Sequence, residues 1–264
     1  MVRRYKHIYG PVFSWRLGRS LGVDPVYTGK HKVCSFDCVY CQAGRTHSVA
    51  DKRRVFISTK AIMAEIKRLP DLGVDYFTLS GNGEPTLAKN LGSIISGIRK
   101  IRSEKIAVIT NSSLMERSDV RRDLARADLV MAKLDADSKD LFARINRPAA
   151  SVRFSGVIKG LKTFSSGHKK RLALQVMFTR DNKRLAKEIA RIASGVDPAE
   201  IEINTPLREG PVKPLSEREI GRIKEIFVEA VGQKNIKIVN VYDVKKRSIK
   251  PMSRTDLLKR RGVR

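Results

Sequence analysis

The sequence is poor in cysteine, tryptophan and acidic residues, and it lacks long apolar runs. Three of its 264 residues are cysteine and one is tryptophan. Three cysteines cannot all pair within one chain, so a framework of disulfides is a poor interpretation. No run of about 18 apolar residues occurs, and the basic start is not followed by the apolar stretch of a secretory signal. We therefore expect a cytoplasmic protein that does not span a membrane.

The shortage of acidic residues leaves a strongly basic chain. Lys and Arg number 54 against 27 Asp and Glu, which gives a formal net charge of +27. The excess is concentrated at the two ends, with +8 in residues 1–54 and +7 in residues 243–264. This balance favours a polyanionic partner or an anionic substrate without identifying either. The alternative is that solvated helix faces carry the excess without a partner.

Short β-favouring runs alternate with helical patterns along most of the chain. The strand-like runs span residues 74–80, 106–110, 128–134, 171–178, 201–204 and 235–244. The helical patterns span residues 59–70, 90–101, 118–127, 151–164, 183–194 and 214–231, the last with a capping box at Ser216 and Glu219. A further strand near residues 26–33 completes six βα units, which right-handed crossovers arrange as a parallel sheet. We predict an α/β fold, a partial (β/α)6 TIM-like barrel with an N-terminal extension over residues 1–242, and a basic tail over residues 243–264.

A second pattern lies inside the predicted strands, where alternate residues are polar. Parallel strands covered by helices are apolar on the helix side, so the polar parity marks the barrel interior. Barrel active sites lie at the carboxyl ends of the strands, where these polar residues concentrate. The polar set consists of Thr78, Ser80, Asn111, Lys133, Asp135, Gln175, Glu202 and Asn204.

All three cysteines fall within eight residues, as Cys34, Cys38 and Cys41. Three thiolates in C-x3-C-x2-C spacing can hold three corners of a cubane iron–sulfur cluster and leave the fourth iron open to another ligand. The alternative is a zinc site completed by His31 or His47, since structural zinc takes four protein ligands. With such a zinc site the chain would be a zinc-stapled RNA-binding module and not an enzyme. Zinc loops usually pair their cysteines as two separate C-x2-C units, which favours the cluster.

The segment "CSFDCVYC" resembles the signature of radical S-adenosylmethionine (radical SAM) enzymes, in which an aromatic residue, here Tyr40, precedes the third cysteine. The resemblance implies a [4Fe-4S] cluster on the three cysteines, with the methionine amino and carboxylate groups of S-adenosylmethionine on the fourth iron. It also implies that one electron from an external donor cleaves the cofactor. The resulting 5′-deoxyadenosyl radical then abstracts hydrogen from a substrate.

Further segments extend this resemblance. "SGNGEPTL", residues 80–87, is similar to the family's glycine-rich loop, whose backbone approaches the methionine amino group. "ITNSS" (109–113), "LDAD" (134–137) and "INRP" (145–148) resemble segments that contact the ribose and the methionine carboxylate. Together with the polar strand residues, these segments predict a set of cofactor-binding residues. The set is Tyr40, Ser80, Gly81, Asn82, Gly83, Glu84, Asn111, Ser113, Asp135, Gln175 and Asn204.

Two long segments, residues 9–25 and 202–219, resemble a subgroup of Fe-S oxidoreductases related to the tRNA-modifying demethylwyosine synthases. Those synthases carry an additional cysteine-ligated cluster, for which this chain has no cysteine, so their reaction is not expected. Phe13 and Trp15 replace the Pro and Arg of the relatives, and Lys133 replaces a common Ser. We predict that Lys133 and Asp135 are catalytic, with Lys133 holding an anionic substrate group or pairing with Asp135. The alternative for Lys133 is a place on the solvated rim.

An RNA substrate, tRNA above all, would account for the basic ends of the chain. Phosphate neutralisation supplies affinity that is independent of base sequence, and aromatic side chains can stack on bases. The N-terminal segment offers Tyr5, Tyr9, Phe13 and Trp15 for stacking. Two enzyme alternatives remain, an activase that takes hydrogen from a glycine of a partner protein and a small-molecule radical SAM enzyme.

Overall fold

The computed structural model of the chain describes residues 5–27, 29, 31–46, 49–208, 210–243 and 251–252. Its strands are β1 (Ile8–Ser14), β2 (Gly18–Val23), β3 (Tyr76–Leu79), β4 (Lys105–Thr110), β5 (Leu129–Lys133), β6 (Leu172–Met177), β7 (Glu200–Asn204) and β8 (Lys237–Asn240). Its α-helices are α1 (Thr59–Lys67), α2 (Leu91–Arg99), α3 (Ser118–Leu124), α4 (Lys139–Ile145), α5 (Phe154–His168), α6 (Ala186–Val196) and α7 (Glu217–Val231).

The eight strands form one sheet in chain order, from β1 at one edge to β8 at the other. β1 and β2 are antiparallel, and every later neighbour is parallel. Six βα units therefore run from β2 to α7, with β8 as one further parallel strand. Within the described residues the sheet is open rather than closed. The predicted α/β partial barrel with an N-terminal extension is confirmed, and the extension is the strand β1.

The strand predicted near residues 26–33 is wrong. The strand that precedes the cysteines is β2, which forms a hairpin with β1 and pairs in parallel with β3 through Leu21. Glycines hide β2 in the sequence because they weaken a strand pattern. Gly22 has a structural cause, since a Cβ at this position would lie 2.1 Å from the ring of Tyr9.

The other predicted strands and helices are present, most of them shorter than expected at one or both ends. The capping box is confirmed, because Ser216 Oγ accepts from the Glu219 backbone N–H and the Glu219 carboxylate accepts from that of Ser216. Helix α4 was not predicted. It begins after Ser138, whose Oγ accepts from the Leu141 N–H at 3.4 Å.

The main core lies between the sheet and its helices. The inward faces of α1 and α2 bury Ile62, Ile66, Ile94 and Ile98 completely. Burial of such a side chain contributes about 1.5–3 kcal/mol relative to exposure. A smaller buried cluster consists of Leu17, from the turn before β2, and of Ala107, Met131 and Ala173, which have the parity of the polar strand residues. This cluster fills the interior of the barrel beneath the polar residues, which therefore lie on a layer of packed apolar side chains.

The predicted basic tail, residues 243–264, lies outside the described residues except for Asp243 and residues 251–252. Met252 donates its backbone N–H to the Gly10 carbonyl at 2.7 Å, which brings this part of the chain to β1. The domain boundary at residue 242 stays a prediction. Among the helices described, none is long and apolar enough to cross a membrane.

Candidate active site

A cavity of about 430 Å³ opens at the carboxyl ends of the parallel strands. Four of the predicted cofactor-binding residues line it, Ser80, Gly81, Gln175 and Asn204. Residues of the β1–β2 hairpin also line the cavity, so the N-terminal extension is part of the site. The remaining predicted residues lie in the loops around this mouth.

The cysteine loop follows β2 and packs onto the barrel mouth. The Cys41 backbone N–H donates to the Cys38 carbonyl at 3.0 Å, and the Ala50 N–H donates to the Cys34 carbonyl at 2.8 Å. Asp37 closes the loop by accepting from the Thr46 N–H at 2.7 Å. All three thiols are free, with Cys34 buried and the other two half-buried. Hydrogen bonds within the loop thus hold its shape and leave the sulfurs available as ligands.

Each cysteine sulfur faces a nitrogen donor. Asn111 Nδ2 lies 3.6 Å from Cys34 Sγ, and Asn146 Nδ2 lies 3.5 Å from Cys38 Sγ. Lys32 Nζ lies 3.0 Å from Cys41 Sγ and 2.9 Å from the Gly44 carbonyl oxygen. Donors of this kind stabilise thiolates, and hydrogen bonds to cysteine sulfur are a regular part of cluster sites. The donor set therefore fits an iron–sulfur cluster.

Within the part of the chain that the structure describes, no three His, Cys, Asp or Glu side chains are close enough to hold a single metal ion. In a cubane each thiolate binds its own iron, so the three ligands need not converge on one point. Of the two histidines considered for a zinc site, His31 is exposed, and His47 lies outside the described residues.

Burial raises the pKa of two of the thiols while no metal is bound. It raises the pKa of Cys34 to about 12 and that of Cys38 to about 11. Burial lowers the Lys32 pKa, but the interactions of the ammonium with the sulfurs of Cys41, Cys34 and Cys38 outweigh burial and raise this pKa. Metal binding must therefore release protons from the buried thiols, because only the thiolate is a ligand.

The glycine-rich loop, residues 80–84, is fastened to the cysteine loop. Val33 and Gly83 form a parallel bridge, with the Glu84 N–H donating to the Val33 carbonyl at 2.9 Å. A Cβ on Gly83 would lie 1.8 Å from that carbonyl oxygen. Gly81 has φ +146°, and Asp24 packs against its backbone while accepting from the Asn82 N–H at 2.6 Å. Only glycine allows these close approaches.

Glu84 is the buried junction between the glycine-rich loop and β4. Oε1 accepts from the Thr86 N–H at 3.0 Å and from the hydroxyls of Thr86 and Thr110, each at 2.6 Å. Oε2 accepts from the Asn111 N–H at 2.6 Å. Burial raises the Glu84 pKa in spite of these four bonds. The carboxylate thereby sets the position of Asn111, which faces Cys34.

Asn111 and Ser113 meet the cysteine loop through Ser35. Asn111 Nδ2 donates to Ser35 Oγ at 2.9 Å, and the hydroxyls of Ser35 and Ser113 are 2.6 Å apart. Ser112 between them has φ +70°, a left-handed conformation that its hydroxyl supports by donating to the Lys133 carbonyl. Ser35 was not predicted as a site residue, although it lies inside the cysteine signature.

Asp135 collects donors from four parts of the chain. Its carboxylate accepts from the Tyr40 hydroxyl, from Asn146 Nδ2 at 3.0 Å and from the Met177 N–H at 2.8 Å. Lys133 Nζ lies 3.6 Å from Asp135 Oδ1 and 4.9 Å from the centre of the Tyr40 ring. The Lys133 side chain is 13% exposed, so it pairs with Asp135 rather than standing on a solvated rim.

A series of polar contacts runs from Lys133 across the interior of the barrel. Lys133 Nζ donates to Gln175 Oε1 at 3.4 Å, and Gln175 Nε2 donates to Glu202 Oε2 at 3.3 Å. Arg16 Nη1 donates to the same Glu202 oxygen at 3.2 Å. Burial raises the Glu202 pKa to about 7, although Arg16 lowers it. Asn204 lies beside this series of contacts, and its Oδ1 accepts from the Thr205 N–H.

Asp24, Lys32, Asn146 and Arg16 were not among the predicted site residues. Asn146 could have been found, because it lies in the segment "INRP" already matched to the family. Lys32 lies two residues before Cys34, but the sulfur that it contacts is that of Cys41. No local pattern in the sequence relates Arg16 to Glu202. Their roles depend on contacts that only the folded chain creates.

The sequence matches the model of the Radical SAM superfamily over residues 30–193. The chain belongs to the radical SAM superfamily. The matched region contains the cysteine loop and β3 to β6, the part of the barrel that carries most of the site. Radical SAM proteins use a [4Fe-4S] cluster and S-adenosylmethionine, so the predicted class of enzyme and its two cofactors are confirmed.

Two relatives resemble this radical SAM protein over most of its length. A UPF0026 protein of Synechocystis is 40% identical over 214 residues, 81% of this chain and 80% of that protein. A UPF0026 protein of Methanocaldococcus jannaschii is 35% identical over 245 residues, 89% of this chain and 75% of that protein.

Among solved structures, Streptococcus suis SuiB bound to S-adenosylmethionine superimposes with a TM-score of 0.60 at 14% identity, over 82% of this chain and 52% of SuiB. The chain thus spans about half the length of SuiB, and the likeness concerns the fold alone.

Proposed function

We propose that Cys34, Cys38 and Cys41 hold the [4Fe-4S] cluster of this radical SAM enzyme and that its substrate is an RNA. The observation that carries the cluster assignment is the nitrogen donor opposite each of the three sulfurs. When bound, the cluster and S-adenosylmethionine supply the electron transfer and the carbon radical that takes hydrogen from the substrate. The residues of the chain position both groups and exclude water from the site.

The glycine-rich loop and the ends of β4 and β5 hold S-adenosylmethionine in this proposal. Their backbone is fixed in advance: Glu84 holds the Asn111 N–H, and Asp135 is held by the Met177 N–H. Such preorganisation reduces the entropy lost on binding. Lys133, paired with Asp135 and above the Tyr40 ring, is the proposed catalytic cation beside the cofactor.

An RNA substrate is supported by charge and by the shape of the cavity. The chain carries +27, and Arg16, Arg208, Phe13 and Trp15 line the cavity wall. A cavity of about 430 Å³ is too small for an RNA helix, so the target base would be turned out of its stack. We do not propose the demethylwyosine reaction, because the chain has no cysteines for the additional cluster.

The test is anaerobic incubation of reconstituted protein with S-adenosylmethionine, a reductant and total tRNA. We expect release of 5′-deoxyadenosine and a mass change in one RNA nucleotide. The Cys38→Ala protein is the matched control and should give neither product. Deoxyadenosine without any RNA change would overturn the RNA substrate and favour the activase or small-molecule alternative. Absence of deoxyadenosine from a protein with full iron content would overturn the enzyme assignment.

A further inference from the structure

The turn between β1 and β2, residues 14–17, forms a preorganised wall of the cavity. Ser14 Oγ accepts from the Arg16 N–H at 3.3 Å and from the Leu17 N–H at 3.2 Å. Trp15 and Arg16 both line the cavity, and the Arg16 guanidinium carbon lies 5.3 Å from the centre of the Trp15 ring. The turn therefore presents a cation beside an aromatic surface before any ligand binds.

Arg16 is held in place and incompletely bonded. Its Nη1 donates to Glu202 Oε2 at 3.2 Å, and the Glu202 side chain is only 2% exposed. The Arg16 Nε–H is buried and has no acceptor among the residues that the structure describes. A guanidinium offers five N–H donors in a planar fork that matches carboxylate and phosphate oxygens. A buried donor without an acceptor is unfavourable, so the Arg16 guanidinium is short of hydrogen-bond acceptors.

The electrostatic character of the cavity points the same way. Its charged lining residues are Arg16 and Arg208, and no Asp or Glu is among the lining residues that the structure describes. Glu202 lies behind Arg16, where it fixes the guanidinium. Because that ion pair already restrains the side chain, Arg16 loses little rotamer freedom when it meets an anion.

We propose that Arg16 and Trp15 form the subsite for an anionic group attached to a flat part of the substrate, the anion being a phosphate or a carboxylate. The proposal rests on the proposed function only in taking the cavity as the place where the substrate binds. Arg16 receives the anion through its fork, and Trp15 covers the flat group beside it.

Trp15 provides the assay, because it is the single tryptophan of the chain. Its fluorescence is measured while the full chain, without added cofactor, is titrated with phenyl phosphate against phenol and with benzoate against benzamide. We expect at least one anion to bind tenfold or more tightly than its neutral partner, and the two pairs distinguish phosphate from carboxylate. Equal binding of anion and neutral partner in both pairs would overturn the proposal.

Arg16→Gln should abolish this preference, while Arg191→Gln, the same change at an exposed site on α6, should leave it intact. Where Arg16→Gln disturbs the turn, Arg16→Lys keeps the charge without the fork. We expect it to retain a weaker preference, and a complete loss or an undiminished preference would count against the fork. Because the titration needs neither iron nor S-adenosylmethionine, its result is independent of the test of the proposed function.

A separate observation concerns Lys32, which is buried at 9% exposure with its ammonium 3.0 Å from Cys41 Sγ. A second hydrogen bond, to the Gly44 carbonyl at 2.9 Å, holds the ammonium in this position. Positive charge and N–H donors near a thiolate stabilise the more negative, reduced state of an iron–sulfur cluster. The geometry points to Lys32 as a positioning residue that raises the reduction potential of the cluster, an inference that rests on the proposed ligands.

The test is a redox titration of reconstituted protein followed by electron paramagnetic resonance. Lys32→Met should have a more negative midpoint potential at unchanged iron content, and Lys32→Arg should stay near the wild type. Lys100→Met, at an exposed site, is the control. Full iron content with an unchanged potential in Lys32→Met would overturn the inference.

Where Lys32→Met loads no iron, Lys32→Gln decides, with an intermediate potential expected and a wild-type potential contradicting the inference. A wild-type protein that loads no iron would instead overturn the proposed cluster ligands. The iron content of the wild type therefore separates a failure of the proposed function from a failure of this inference.

Discussion

Glu84→Gln is the substitution whose effect follows most directly from the structure. The carboxylate is 2% exposed and accepts four hydrogen bonds, three at Oε1 and one at Oε2. Glutamine has one acceptor oxygen. With that oxygen in place of Oε1, its NH2 group faces the Asn111 N–H, and a buried donor loses its acceptor.

The size of the effect comes from two opposed contributions. Hydrogen bonds to a charged group are worth about 1.5–3 kcal/mol each, and an unsatisfied buried donor costs about 1–3 kcal/mol. Burial, which raises the Glu84 pKa, works against the ionised carboxylate, and glutamine removes that penalty. We expect a net loss of about 2–3 kcal/mol in the free energy of unfolding, since the loss of charge-assisted bonds exceeds the relief.

The assay is urea unfolding of the cofactor-free protein, followed by circular dichroism. Glu225→Gln, an exposed site on α7, is the control and should change stability by less than about 0.5 kcal/mol. Thr110→Val removes one of the four donors and also the acceptor of the Ser112 N–H, so it should lose about 2 kcal/mol. The double variant with Glu84→Gln should be less destabilised than the sum of the two single variants. A Glu84→Gln protein as stable as the control would refute the reasoning.

Three further predictions concern other parts of the site. Gly83→Ala should lower the free energy of unfolding in urea by about 3 kcal/mol or more, because the alanine Cβ would lie 1.8 Å from the Val33 carbonyl oxygen. A Gly83→Ala protein as stable as the wild type would contradict the close packing of the glycine-rich loop on the cysteine loop. Burial raises the Glu202 pKa from 4.5 to about 7, so the native state keeps a proton that the unfolded chain loses and stability falls as pH rises through this window, by about 3 kcal/mol. The stability of Glu202→Gln should not fall over this pH range. If the free energy of unfolding falls with pH equally in both proteins, Glu202 is not the cause. Lys133→Ala should lower substrate turnover at least tenfold, and unchanged turnover would remove Lys133 from the catalytic residues.

The parts of the site that the sequence predicts are those encoded locally. The cysteine spacing, the glycine-rich loop and the polar parity of the strands each occupy a few consecutive residues, and the structure brings them to one end of the barrel. Close packing explains the glycines, as at Gly83, where any side chain would meet the Val33 backbone. The fold class follows equally from the alternation of strands and helices.

What the sequence does not predict arises from contacts between distant segments. The sequences of β1 and β2 are poor strand patterns because Gly10, Gly18 and Gly22 interrupt them. The structure explains these glycines, since Gly10 and Gly18 have positive φ and a Cβ at Gly22 would meet the Tyr9 ring. Arg16 meets Glu202 from 186 positions away, and no local pattern announces that pairing. The ammonium of Lys32 reaches Cys41 only because the loop turns back on itself.

The assignment of the cysteines is tested most directly by the iron and sulfide content of the anaerobically reconstituted protein, measured with its electron paramagnetic resonance spectrum before and after addition of S-adenosylmethionine. We predict four irons and four sulfides per chain, a spectrum of the reduced protein that changes when S-adenosylmethionine binds, and loss of both in Cys34→Ala, Cys38→Ala and Cys41→Ala. One zinc per chain without iron, or a cluster whose spectrum ignores the cofactor, would contradict the account.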